Sequence, residues 1–455
     1  MILSQKQKKM NSFNELNIDA TFDNETVSIN AAFTYFEAFK KSIGFKSLVN
    51  KFISFRKGNN SKFKTIDIID FLIDAVVLGY HRFSHMEDLR KDPGYSRIKD
   101  SDSPSEKVCR DLLKFLPHIT KEELRYFNKK ILEIQAKNGQ PREVMLDFDD
   151  TVCTVFGDQE GSASGYNPRY KGRPSFKEKV GIISSTDELL DVTLEAGTHH
   201  SNYNFLEFYE SCIDTLPDSW YLKRIRADRG FFDQKNFEYC EDNGYEYIIK
   251  AKMQKGVQKI VDYINEHPEE YPWTPINEII SVTEITVPLM SWSKARRFVL
   301  IKKSLPKTDK KGQMIFDEFT YDYQAIVTNV DYLTAEEIFS DYNQRCNIEN
   351  KIDELKEGFS FDQNSQINHK CNELFLLIKM IAYNLHNWFK RTFLPEDLHH
   401  HEIKTIRRIF YKVAGNIVGN GWYRHIRFAP NKLLERIIPY IRKKLSCFRK
   451  QVVLV

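Results

Sequence analysis

An α/β core carried between helical flanks is the fold class that the sequence predicts, and three observations predict it. Residues up to about 140 repeat apolar positions at three- and four-residue spacing, the pattern changes at Arg142 to strand-like alternation, and helical spacing returns after Leu333. At 455 residues the chain can bury a sizeable core and is expected to divide into two or three domains. The boundaries that follow are a helical region over 1–140, a first α/β part over 141–270, a β-rich insertion over 271–330, a final acidic helix with the helix after it over 331–390, and a basic helical region over 391–455.

Each element has its own signal. NAAFTYFEAFKKSIG, TIDIIDFLIDAVVLGYHRFSHMEDLR and SEKVCRDLLKFL carry the helical spacing, and the DPG at Asp92 to Gly94 reads as a turn. In SDSPSEKVCR, Ser103 is the expected N-cap, with Pro104 at the first helical position and Glu106 at the capping-box position. By pattern alone this region is either a DNA-binding unit or a packing module. VMLDFDDTVCTVFG, DELLDVTLEAG, YLKRIRADRG and YEYIIKAK read as strands, with QKNFEYCEDNG a helix between the last two. ISVTEITVPL, RRFVLIKK and YDYQAIVTNV supply the insertion. TAEEIFSDYNQRCNIENKIDELKEG and CNELFLLIKMIAYNLHNWFKR return to helix.

Composition narrows the function classes. With 41% hydrophobic and 29% charged residues a folded globular chain is expected, and no run of eighteen apolar residues suggests a membrane span. The start MILSQKQKKMNS lacks the apolar middle of a secretory signal, so a cytoplasmic protein is expected. Seven scattered cysteines without close ligand pairs argue for buried thiols in a reducing compartment. From Arg391 to Val455 there are fourteen Lys or Arg against four Asp or Glu, a distribution suited to following a polyanion.

Three polar clusters carry chemistry. In a strand register Val144, Leu146 and Phe148 share one face while Asp147, Asp149 and Thr151 share the other. Two carboxylates on one face near a strand end call for a cation, a basic partner or solvent, and Mg²⁺ prefers such hard oxygen ligands. Asp228 follows the strand YLKRIRA and precedes Gly230, which allows a tight turn, so a second carboxylate stands at a strand's carboxyl end. Tyr342, Arg345, Glu349 and Lys356 are spaced by three, four and seven residues, which on one helix puts them near one face. Glu349 could complete a metal site while Arg345 and Lys356 hold phosphate oxygens. Together Asp149, Asp228 and Glu349 suit two divalent ions, with Asp147 a supporting or alternative ligand, and in-line attack on a phosphodiester. There is no phosphate-loop motif. His199, His200 and His399 to His401 lack the cysteine or HExxH partners of a zinc site, and Cys346 is expected to pack within its helix.

These blocks resemble the DDE transposases of the insertion-sequence 4 superfamily, and most closely its insertion-sequence 1380 group. The resemblance rests on LDFDDTV with GDQEGSASGYNPRYKGRPSF, on IRADRGFF with YIIKAK, and on Tyr342, Arg345, Glu349 and Lys356 in the family's Tyr-Arg-Glu-Lys spacing. It implies an RNase H-like catalytic core over 141–270 and 331–390, interrupted by the β-rich insertion, with DNA-binding or end recognition in 1–140. It also implies that Asp149, Asp228 and Glu349 are the metal-binding catalytic acids, and that Tyr342, Arg345 and Lys356 contact phosphate. Arg169, Lys171 and Arg173 match the family's basic block in role, and Trp292, Arg296 and Arg297 offer a stacking surface and cations for DNA. The activity implied is endonuclease and strand-transfer chemistry at terminal inverted repeats of double-stranded DNA and into target DNA. Two Mg²⁺ ions, replaceable by Mn²⁺, would serve a homodimer in a bacterial cytoplasm. Two alternatives stand beside it. Asp147, Asp149 and Thr151 also fit the loop of a haloacid-dehalogenase-like phosphatase, with Asp147 as nucleophile and Asp149 as acid/base, and a catalytically inactive DNA-binding element protein would keep the basic tail without requiring all three acids.

Overall fold

The computed structural model describes residues 24–137, 139–289, 292–308, 314–420 and 423–452. Its centre is a sheet that is ten-stranded among the described residues. The core strands are β1 (Arg142–Thr154), β2 (Pro174–Ile183), β3 (Leu189–Ala196), β4 (Trp220–Ala227) and β5 (Glu246–Lys250). They lie in the order β3-β2-β1-β4-β5; the β1–β2 and β2–β3 pairs are antiparallel, and the β1–β4 and β4–β5 pairs are parallel. This is the RNase H-like arrangement that the resemblance implies. The strands expected for an insertion are β6 (Ile280–Val287), β7 (Arg296–Thr308) and β8 (Met314–Thr328). They continue the same sheet, because β8 pairs antiparallel with β5.

Both faces of the sheet are covered. Val144, Leu146 and Phe148 point into a core with Ile225, Ala227 and Ile249, closed by α1 (Phe205–Thr215), α2 (Gln234–Asp242) and α3 (Lys255–Glu266). The alternation in VMLDFDD is therefore a real two-face pattern, apolar on one side of the sheet and carboxylate on the other. On the opposite face, α4 (Ala335–Gln344) seats Ile338 on Ile248, Val299 and Ile326. After it come α5 (Asn347–Phe359) and α6 (His369–Phe393). Helix α6 is buried nearly all round, as its apolar sequence requires of a central helix.

The N-terminal helices pack on α6, with Phe36 and Phe39 against Trp388 and Phe389, and share one core with Phe410, Tyr411 and Phe448. The flanks differ from expectation in three ways. The region 391–455 is not wholly helical, since Gly415–Asn420 pairs with both Val27–Ser28 and Tyr423–Phe428. The DPG is a helix start rather than a turn; Asp92 caps Pro93–Lys99 by accepting from the Tyr95 amide at 3.0 Å. The helix Glu106–Phe115 is capped by Ser105, not Ser103, through the Val108 amide at 3.4 Å.

Candidate active site

The parallel register between β1 and β4 brings two acids side by side. Phe148 and Ala227 are Cα partners, so Asp149 and Asp228 are the next residues along neighbouring strands. Beyond β4 the chain turns at once, and Asp228 accepts a hydrogen bond from the Gly230 amide at 2.7 Å. Gly230 is needed for space: a Cβ there would lie 2.6 Å from Ser201 Oγ and 2.8 Å from Asp228 Oδ1. Gly230→Ala is therefore expected to displace Asp228 and to lower any metal-dependent turnover roughly tenfold or more, at a stability cost of about 1–3 kcal/mol. Parallel melting and turnover measurements check this; unchanged turnover would show that the carboxylate did not move.

The third acid comes from the opposite face. Thr334 and Glu337 form a capping box that starts α4. The sequence expectation of one helix from Tyr342 to Lys356 is corrected here: α4 ends at Gln344 and α5 begins at Asn347, with Arg345 and Cys346 at the break. The break leaves Arg345 buried and reaching Asp149 at 3.0 Å, while Cys346 is exposed rather than packed. Glu349, exposed in the first turn of α5, lines one cavity of about 340 Å³ with Asp149, Asp228, Tyr342, Arg345 and Lys250.

Arg229, Lys250, Lys303 and Arg345 line the cavity beside the three acids, yet burial outweighs their pull at Asp149. Burial pushes the Asp149 carboxyl up to about 7, with Asp228 adding to the rise and Arg345 opposing it. Burial likewise carries the Tyr342 phenol up to about 12, so it is a hydrogen-bond donor near neutral pH. Three carboxylates facing one cavity are a hard-oxygen donor set that fits Mg²⁺. Arg345 does not complete it, and its Nε is buried without a hydrogen-bond partner. Because the folded pKa of Asp149 lies above its ordinary 3.8, its stability contribution is present below about pH 4 and lost as pH rises through 7. Without metal, Asp149→Asn is thus expected to gain about 1–3 kcal/mol over the native protein at pH 8 and almost nothing at pH 4. Denaturant unfolding at the two pH values checks the sign.

Asp147 occupies a different role. Its two oxygens accept from Arg226 Nε and Nη2 at 2.7 and 2.8 Å, and it is 2% exposed. Arg226 also donates to Asp341 Oδ1 and to its backbone carbonyl, each at 2.8 Å, and Arg224 pairs with the same Asp341. This buried lock joins β1 and β4 to α4, one residue before Tyr342. Asp147 does not line the acid cavity. It is neither an open metal ligand nor a free nucleophile, which removes the geometric basis for the phosphatase alternative.

The remaining expected residues are scattered. Lys356 and Arg169 line an adjoining cleft that shares Asp228 and Arg229 with the acid cavity, and Lys171 and Arg173 are exposed nearby. Trp292, Arg296 and Arg297 are not at either cavity. Trp292 stacks on Phe298 and packs against Phe232 and Phe237, Arg296 is paired with Glu241 at 2.7 Å, and Arg297 pairs with Glu284. Their aromatic and cationic character is used in packing. His199 stacks on Tyr203 beside Glu195. Sequence reasoning missed Arg226 and Asp341, although an arginine two residues before Asp228 was a visible signal. Among the described residues only Glu37, Asp70 and Asp74 bring three ligand-type atoms within 4.8 Å of one another. That cluster is already filled by the ammonium groups of Lys40 and Lys99. Asp149, Asp228 and Glu349 thus share a cavity without sharing so tight a cluster.

In this RNase H-like core Asp149 lies inside β1 at the level where β4 ends in Asp228, and Glu349 on α5 faces the same cavity, an arrangement of carboxylates that suits divalent cations. Residues 10–449 match the family described as "Transposase DDE domain group 1", and the chain belongs to that family. No curated protein matches it. Among solved structures it is similar to a piggyBac transposase in a synaptic complex with hairpin DNA, at 12% identity and a TM-score of 0.42 over 93% of this chain and 85% of that chain. No helix among the described residues is long and apolar enough to cross a membrane.

Proposed function

We propose that the protein cuts double-stranded DNA at the terminal inverted repeats of an insertion sequence and joins the freed 3′-hydroxyl ends to target DNA. The insertion-sequence 4 superfamily, through its insertion-sequence 1380 group, is the proposed lineage, and the bacterial cytoplasm the proposed setting. The observation that carries this reading is the shared cavity of Asp149, Asp228 and Glu349, with Arg345 and Tyr342 on the same wall. Two Mg²⁺ ions, or Mn²⁺ in their place, would activate a water or a 3′-hydroxyl and stabilise the leaving oxygen. Asp149, Asp228 and Glu349 would hold them. Tyr342, protonated at neutral pH, would donate a hydrogen bond to a phosphate oxygen. Arg345, beside Asp149 at 3.0 Å, would offer its guanidinium to phosphate, and Lys356 would follow the backbone in the adjoining cleft. Arg169, Lys171 and Arg173 would hold the DNA beside the site, residues 1–140 would recognise the ends, and two protomers would pair them. Purified protein incubated with labelled duplexes carrying candidate element ends tests the reading. Cleavage and joining that need Mg²⁺ and stop on chelation support it; release of phosphate from monoesters without DNA cleavage would sink it.

A further inference from the structure

The cleft that adjoins the acid cavity is the largest of the cavities described, about 1080 Å³. Its rim carries three aromatic side chains that folding leaves in water: Phe156 is 66% exposed, Tyr166 78% and Tyr170 40%. Exposed aromatics clustered at one rim are not what a soluble surface needs. Phe156 and Tyr170 meet edge to face at 5.4 Å, Arg173 lies 5.1 Å over the Phe156 ring, and Arg169 lies 5.7 Å over Tyr170. The loop bearing them is built as a platform. Asn167, 4% exposed, donates to Thr154 Oγ1 at 2.9 Å and accepts from the Tyr170 amide at 3.0 Å. Glu160 and Gln159 tie the same loop to residues 364–368. Gly165 sits so close to the Gly197 carbonyl that a Cβ would approach it to 2.0 Å, which fixes the backbone just before Tyr166.

Charge selects the occupant. Lys252, Lys356 and Arg169 line the cleft and form no ion pair with a described residue, whereas Lys177 is paired with Asp150 at 3.2 Å; Asp228 and Asp362 are the other acids on its wall. Rings beside unpaired cations suit a nucleic-acid strand whose bases are free to stack, since duplex bases offer no open faces. Because the cleft and the acid cavity share Asp228 and Arg229, such a strand runs directly into the acids. We propose that Phe156, Tyr166 and Tyr170 form a stacking site for unpaired nucleotides of single-stranded DNA, with Lys252 and Lys356 on its phosphates. This deepens the transposase reading and rests on it, by assigning the cleft to the strand end next to the cut.

The test measures binding of a fluorescent oligothymidylate and of a blunt duplex to the full chain in chelator, so that cleavage plays no part. Tyr166→Ala/Tyr170→Ala is expected to weaken oligothymidylate binding at least fivefold while duplex binding changes less than twofold. Tyr166→Phe/Tyr170→Phe keeps the rings and is expected to bind within twofold of wild type. Unchanged single-strand binding in the alanine pair overturns the proposal, as does an equal loss in the phenylalanine pair, which would put the effect on the hydroxyls. Equal losses on single strand and duplex also overturn it. Wild-type cleavage of duplex ends with Mg²⁺, measured on the same preparation, tells failure of this site from failure of the transposase reading.

Discussion

Asp149→Asn, Asp228→Asn and Glu349→Gln are each expected to lower Mg²⁺-dependent cleavage and joining by at least about 100-fold, while duplex binding stays within about threefold of wild type. A factor of 100 corresponds to about 2.7 kcal/mol of transition-state stabilisation, well within what metal-held charge supplies. Duplex affinity depends mainly on cations that meet phosphates, and no cation is removed. The three effects are not expected to add, because each acid serves one site. Gel assays of binding and product formation on the same preparations check both halves. Glu349 is the most informative of the three, since it is exposed and comes from a different element than the paired acids. Full activity in Glu349→Gln would leave α5 without a catalytic role.

The second large effect concerns stability. Arg226→Ala is expected to cost about 3–5 kcal/mol, because it strands the buried Asp147 carboxylate and withdraws two hydrogen bonds from Asp341. Asp147→Asn should cost clearly less. Burial already raises the Asp147 pKa against the pull of Arg226, and the amide keeps one acceptor for the guanidinium. Urea unfolding of the two variants checks the order. Arg226→Lys should recover only part of the loss, since an ammonium cannot bridge two carboxylates in the guanidinium's planar fork. An Asp147→Asn loss equal to that of Arg226→Ala would mean that Asp147 does more than neutralise its partner.

Much of the site was legible because strand geometry is local. LDFDD announces which side chains share a face from alternation alone, and Asp228 before Gly230 announces a strand end. The break at Arg345 and Cys346 was not legible. No glycine or proline marks it, and both residues keep right-handed helical angles, the chain only tightening to i→i+3 hydrogen bonds while Arg345 reaches Asp149. Strand β2 escaped notice too. Its Lys177, Glu178 and Lys179 look solvent-facing in sequence, yet Glu178 and Lys179 are buried against polar partners supplied by distant segments. Asp147 and Asp149 could not be told apart by pattern, because the difference between them is the arginine opposite Asp147 on β4. The hairpin in the basic tail, Gly415–Asn420 paired with Tyr423–Phe428, was overshadowed by the positive charge around it. SWSKARR shows the reverse error, since a tryptophan with arginines has the same composition whether it meets a base or packs at 4.9 Å on its own Arg296.

The central claim is that Asp149, Asp228 and Glu349 form one metal centre, and calorimetric titration of Mn²⁺ into the wild type and the three amide variants tests it most directly. The expected result is saturable binding by the wild type at pH 8, about tenfold weaker at pH 6 as Asp149 takes up its proton, and at least tenfold weaker at pH 8 in every variant. Binding by Glu349→Gln equal to that of the wild type, with loss confined to Asp149→Asn and Asp228→Asn, would contradict it.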